Sequence, residues 1–480
     1  MSWARRGSAT ISPGSLIIGA SVILATGLLI ANIESKVLFY IAGAPVILMA
    51  LVDFEWNLGL MFLALHFAAT RKTWMLEYSN DGRWVVLFML AIKFLMPLRK
   101  KGKETNIALI QIGFGAFCAM ATFSSFHSLN FRTSLYRSIS LWFMYFAVFL
   151  SLWRYMDSRE KIERMIRIFA YIAFGMVIGT FINHQTDGKG AEFWGRLKGY
   201  YVNPNTLGLM LTMQIPFALW IFTTPKFNVG FWRTLHFLML ISAIVALVMS
   251  GSRAALVGVL VGVAAYIALR YRSRLLFYAT IGMMLGGITY GLLSDVVRTK
   301  YFQDVVYRKD TLDEGSGRIR LWKLAWQLSK RTPWIGYGFG TSEIVLWAQG
   351  DYLKIGSADP QGIHAHNTFL RLLLEMGTVG VIFGVIFLAS FSRCIALLIR
   401  ASPTNELFNL VIALFATLLA GMFDSVFESW GLSVGCILAV PYWTCVMLMY
   451  RMNFHIEDFV NADDTERPHG IIFTASRYGK

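Results

Sequence analysis

Residues 362–380 read GIHAHNTFLRLLLEMGTVG. A histidine pair and an asparagine come first, and an apolar run that continues to about residue 399 follows. Charged or titratable groups are costly near hydrocarbon and usually carry a task or a partner there. Residues that open an apolar helix with His364, His366 and Asn367 therefore pose two questions. One is whether the rest of the chain is equally apolar. The other is what else lies on the same side.

The chain answers the first plainly. Hydrophobic residues make up 56% of its 480 positions, with Trp, Tyr and Phe among them reaching 15%, and charged residues make up 15%. Soluble domains average about 25% charged residues, whereas ring-rich apolar chains suit two lipid–water interfaces. Runs able to cross about 30 Å of hydrocarbon fall at about 14–32, 37–52, 58–70, 84–97, 107–124, 135–153, 166–183, 205–223, 234–250, 254–269, 275–293, 378–399, 407–426 and 431–449. The second to fourth are short, so the expectation is an all-α polytopic membrane protein of about 12–14 helices. The amino-terminal run is too long for a signal peptide and has no small-residue cleavage site after it, so it reads as a retained first span. Cys118, Cys394, Cys436 and Cys445 lie in apolar runs without metal spacing or a disulfide framework.

Loop charge orients the spans. The net charge of +16 sits largely in loops such as RKKGKET, RYMDSREKIERMIR and RYRSR. Basic loops stay on the cytoplasmic side, and these alternate with IESK and FHSLN; the acidic DFEWN does not help. No basic domain with interleaved aromatics is present to bind nucleic acid. Both termini are expected inside. The chain divides into amino-terminal spans (1–293), one large outer loop (294–366), carboxy-terminal spans (367–450) and an inner tail (451–480). Within the loop, GRIRLWKLAWQLSKR places Ile319, Trp322, Trp326 and Leu328 at roughly helical spacing between basic residues. Such a helix could lie on a membrane surface or pack on the protein's own outer face.

The second question has a sharper answer. With this orientation the polar residues at the apolar borders all fall outside: Asn203 and Asn205 in YYVNPNTLGLM, Arg253 in VMSGSRAALVG, Arg318 and Arg320 in the loop helix, His364, His366 and Asn367, and Asp424 and Glu428 in GMFDSVFESWG. Each has a plain alternative. Arg253 could snorkel to the interface; Asn367 could cap a helix; Asn203 and Asn205 flank Pro204 as a helix start often does; Asp424 and Glu428, one turn apart, could only neutralise Arg253. Taken together, the set suits a phosphate-bearing lipid. Guanidinium forks match phosphate oxygens. Fixed cations stabilise a diphosphate most as its bond to carbon breaks. Histidine is the side chain suited to take a proton from an attacking hydroxyl near neutrality. No Asp-x-Asp pair stands on the outer side, so neither a metal nor another cofactor is expected.

The motifs GYYVNPNTLG, MSGSRAALVG, GRIRLWKLAWQLSKRTPWIGYGFGT, HAHNTFLRLLLEMGTVG and FESW, in this order over about residues 195–430, resemble the bacterial O-antigen ligase and polymerase superfamily. The resemblance implies a C-type glycosyltransferase of the bacterial inner membrane with a periplasmic site. Such enzymes pass a glycan from undecaprenyl diphosphate to a glycan or lipid acceptor, inverting the anomeric centre without metal. The family's histidine before asparagine falls on His366, as base or acceptor-orienting group. Its small-residue-turn arginine falls on Arg253. Its loop-helix arginine falls on Arg318, with Arg320 as competitor; these contact the diphosphate. The doublet of His364 and His366 departs from the pattern. Trp322 and Trp326 would hold the lipid carrier or exclude water. A flippase and a chain-length regulator are further partners that the resemblance brings with it. The leading expectation is a polymerase, with a ligase as alternative. A transporter of lipid-linked glycan is a third reading, disfavoured because transporters place their charges near the midplane between repeated halves.

Overall fold

In lipid an apolar run can satisfy its own backbone N–H and C=O groups only as a helix or in a closed barrel, and this chain takes the first route. The computed structural model describes residues 53–70, 73–96, 108–271, 318–348, 365–401 and 406–459, with the single positions 275, 278 and 282. The helices are α1 (Phe54–Ala68), α2 (Thr73–Ile92), α3 (Leu109–Ser124), α4 (Phe131–Met144, continued by a wide turn to Tyr155), α5 (Arg159–Asp187), α6 (Pro204–Thr223), α7 (Phe231–Ser250) and α8 (Arg253–Tyr271). Then come α9 (Arg318–Ser329), α10 (Ser342–Ala348), α11 (Thr368–Arg400), α12 (Glu406–Ser425) and α13 (Ala439–Phe454). Among the described residues, 8 helices are long and apolar enough to cross a membrane. The protein is an all-α polytopic membrane protein. The expected runs at 14–32 and 37–52, and nearly all of 275–293, lie outside the described residues.

Successive helices run in opposite directions, and charge pairs at one end show it. Lys226, between α6 and α7, reaches Glu163 at the start of α5 (2.8 Å) and Glu406 at the start of α12 (3.1 Å). Arg159 joins the same two carboxylates. The far ends of α5, α7 and α12 and the near ends of α6, α8 and α11 must then meet at the opposite surface. Small residues bring two of these helices close, as is common in membranes. A Cβ on Gly258 or Gly262 of α8 would stand 2.6 Å from the carbonyl oxygens of Ala420 and Ala416 in α12. This contact sets the start of α8 beside the end of α12.

Two departures from the expected spans shape that surface. The run expected to start near 378 begins as helix at Thr368 and breaks inside at Gly377, whose φ of +56° ends the regular ladder. The broken turn leaves carbonyls without helical donors. A loop strand fills in: Tyr337 N–H donates to Leu374 O (3.0 Å), Gly338 N–H to Glu375 O (2.9 Å), and Thr378 N–H to Pro333 O (2.8 Å). The run expected at 431–449 is helical only from Ala439. Residues 426–438 form turns whose carbonyls accept from side chains: Arg371 on Ser429, Arg83 on Gly435 (3.1 Å) and Trp443 on Gly431 (2.7 Å). Irregular backbone at membrane depth persists where protein donors replace the absent water.

Helix α9 packs on the protein along part of its apolar stripe. Ala325, Leu328 and Ser329 are buried against the protein, Trp322 is half-buried, and Trp326 stays 50% exposed. Ile319, 44% exposed, and Trp326 leave the rest of the stripe uncovered.

Candidate active site

The site begins with a short hairpin the sequence reading did not anticipate. Strands β1 (Glu192–Phe193) and β2 (Arg196–Leu197) pair antiparallel. Trp194 and Gly195 between them both have positive φ, +52° and +71°, as a two-residue hairpin of this hand requires. The turn delivers Arg196 into the protein, 6% exposed. Its Nε donates to Ser250 O (2.8 Å), and its Nη2 to Asn205 Oδ1 (2.7 Å).

Asn205 sits in the first turn of α6. Asn203 caps that helix through Thr206 N–H (3.0 Å) and is otherwise exposed, so it stands outside the cluster. Asn205 Nδ2 turns inward and donates to Glu428 Oε1 (3.1 Å). Arg318 Nη2, from the start of α9, donates to the same oxygen (2.6 Å), and His366 Nδ1 pairs with Oε2 (3.0 Å). Glu428 thus gathers α6, α9 and the approach to α11 on one carboxylate. Glu428 and its two charged or titratable partners are only partly exposed, with side chains of His366, Arg318 and Glu428 at 27, 19 and 18%.

His366 is held in an unusual backbone. Its φ is +47°, a left-handed value that costs a non-glycine residue and survives where the surroundings fix it. Both neighbours are anchored. Ala365 O accepts from Trp322 Nε1 (2.9 Å). Asn367 caps α11 through Leu370 N–H (2.9 Å) and spends its amide on Val426 O (2.9 Å). Asn367 therefore builds the site's frame. Trp322 does the same, its ring 6.3 Å from that of Phe427.

Arg253 heads α8, half-buried, and the Arg318 charge acts on it. Asp424 lies one turn before Glu428 and is 1% exposed, and its Oδ2 has no hydrogen-bond partner among the described residues. Arg320, by contrast, is exposed, and the structure brings only Arg318 of the pair to Glu428. His364 lies outside the described residues. Arg196 was missed by sequence reasoning. Its signal was a basic residue in a short outer loop, against the loop charge rule. Glu428 stands among the sequence candidates, with neutralisation of Arg253 as its alternative, but its convergence of donors from three separate elements has no sequence signal.

A cluster of arginines, histidine and a shared carboxylate at one end of a helical bundle marks a polytopic membrane protein with an ion-lined site. Residues 237–385 match the family model described as O-antigen ligase. Over that stretch the chain is similar to the O-antigen ligase and polymerase superfamily. The stretch includes Arg253, Arg318 and His366, while Arg196, Asn205 and Glu428 lie outside it. No curated protein matches the chain.

Proposed function

We propose that the chain is a glycosyltransferase of the bacterial inner membrane that polymerises undecaprenyl-diphosphate-linked oligosaccharide at the periplasmic surface. The observation that carries the reading is the meeting of Arg318 and His366 on Glu428, at the end of the bundle where Arg253 opens α8. An acceptor hydroxyl attacks the anomeric carbon from the face opposite the diphosphate. The new C–O bond forms as the bond to the diphosphate oxygen breaks, and that oxygen leaves with the electron pair. His366 takes the hydroxyl proton. Arg253 and Arg318 meet the charge that grows on the diphosphate. Guanidinium carries five N–H donors, so Arg318 can hold Glu428 and still present donors to phosphate. The cations do the work that a metal does elsewhere, and activity should persist in chelator.

The description of the matched family favours a second reading, transfer of a finished chain to lipid A core or to protein. Purified protein given only its lipid-linked repeat decides between them: a ladder of lengthening products means polymerase, and an absolute need for a separate acceptor means ligase. The same assay tests the mechanism. His366→Ala should lower turnover by ~10²-fold or more with donor binding little changed, and Arg253→Ala or Arg318→Ala should raise KM and lower kcat together. Full turnover by His366→Ala would end its role as base.

A further inference from the structure

Among the described residues three named donors meet the two oxygens of Glu428, and the geometry divides the labour. Oε2 faces His366 Nδ1 (3.0 Å). A carboxylate only accepts, so that ring nitrogen carries the hydrogen and Nε2 becomes the basic atom. The function of the ring as a proton acceptor therefore depends on where Glu428 points. Oε1 is fixed by Arg318 (2.6 Å) and by Asn205 Nδ2 (3.1 Å). Arg318 is expected to engage the donor as well, so it is a poor sole anchor for the carboxylate during turnover. Asn205 has no such second duty.

The orientation of Asn205 is itself settled by a neighbour. An amide can be turned either way, but arginine has donors alone. The amide oxygen must face Arg196 Nη2 (2.7 Å), which turns the NH2 group to Glu428. Arg196 cannot drift, because it is 6% exposed and its Nε is bonded to Ser250 O at the end of α7 (2.8 Å). The relay runs from the α7–α8 corner through Arg196, Asn205 and Glu428 to His366.

We propose that Arg196 and Asn205 are positioning residues, which act through Glu428 to hold His366 with its hydrogen on Nδ1. This rests on the glycosyl-transfer reading above. It also means that Arg196, though an arginine beside a diphosphate site, acts on the carboxylate and not on the donor.

The test uses the full-length protein in lipid nanodiscs. The donor is the lipid-linked repeat unit extracted from a strain that lacks this chain and accumulates it. Asn205→Ala and Arg196→Gln should each lower kcat by ~10–100-fold, the cost of losing an outer-shell partner, with KM for the donor within about threefold. In a Glu428→Gln background, Asn205→Ala should cost less than about threefold more, because pairs that act through one group are not additive. An unchanged kcat overturns the proposal. A raised KM at constant kcat makes the pair donor contacts and overturns it. Full additivity with Glu428→Gln also overturns it. Arg196→Gln is buried and could fail to fold, which would leave Asn205→Ala and its cycle to decide. The underlying reading fails separately, if His366→Ala turns over at the parental rate.

Discussion

At the scale of residues, the site is organised by a carboxylate. Glu428 receives His366, Arg318 and Asn205. Charge-assisted hydrogen bonds of this kind are about twice as strong as neutral ones. Asp424, one turn away, has the opposite condition: it is buried, and its Oδ2 has no partner among the described residues. An unpaired buried carboxylate oxygen costs stability. Asp424→Asn should therefore keep turnover within about threefold and leave thermal stability equal or higher, measured in nanodiscs. A collapse of turnover with the fold intact would make Asp424 part of the reacting group. Much of the residue list was legible beforehand. Charges and amides stand out against apolar runs because they are costly there. Their duties were less legible. Asn367 and Asn203 are caps, which the sequence offered as an alternative. Arg196 acts on Asn205, nine positions on but in another element, and no spacing rule reports that.

Elements position these residues through breaks as much as through helices. The kink at Gly377 frees carbonyls that residues 337 and 338 then fill, and this docks the segment carrying α9 and α10 on α11. Arg371 and Glu375 reinforce it: Glu375 Oε1 accepts from Ser342 Oγ (2.6 Å) and from Arg371 Nε (2.9 Å), while Arg371 Nη1 holds Ser429 O (3.0 Å) beside Glu428. Gly377→Ala would place a Cβ 2.6 Å from the backbone of Trp334 at a φ of +56°. The strain alone is worth ~1–3 kcal/mol. Lower thermal stability is expected, with faster protease cleavage within residues 330–348; unchanged melting and cleavage would refute the docking role. The helical runs could be read from apolar length. Their breaks could not, since Gly377 and Gly431 sit in stretches as apolar as the rest. Only the donors from distant residues make an unpaired turn affordable there.

For the whole molecule, alternation of the helices puts the ion pairs of Lys226 and Arg159 at one end and the Glu428 cluster at the other. We propose that the cluster end is periplasmic, the termini are cytoplasmic and residues 294–366 form the outer loop. Cysteine placed at exposed Arg320 should be labelled in intact cells by a membrane-impermeant maleimide, and cysteine at Lys226 only after lysis. The reverse pattern would invert the orientation, and equal labelling would break the topology. Hydropathy and loop charge were enough to give the class, most of the described helical spans and the single surface that collects the polar residues. Both depend on local composition, which the bilayer reads span by span. The sequence alone did not decide which arginine of the loop helix joins the site, which asparagines are caps, or that a glutamate ties an imidazole to two other elements. Those choices rest on distances between residues up to 223 positions apart. They are fixed only when helices pack and each buried donor has found an acceptor.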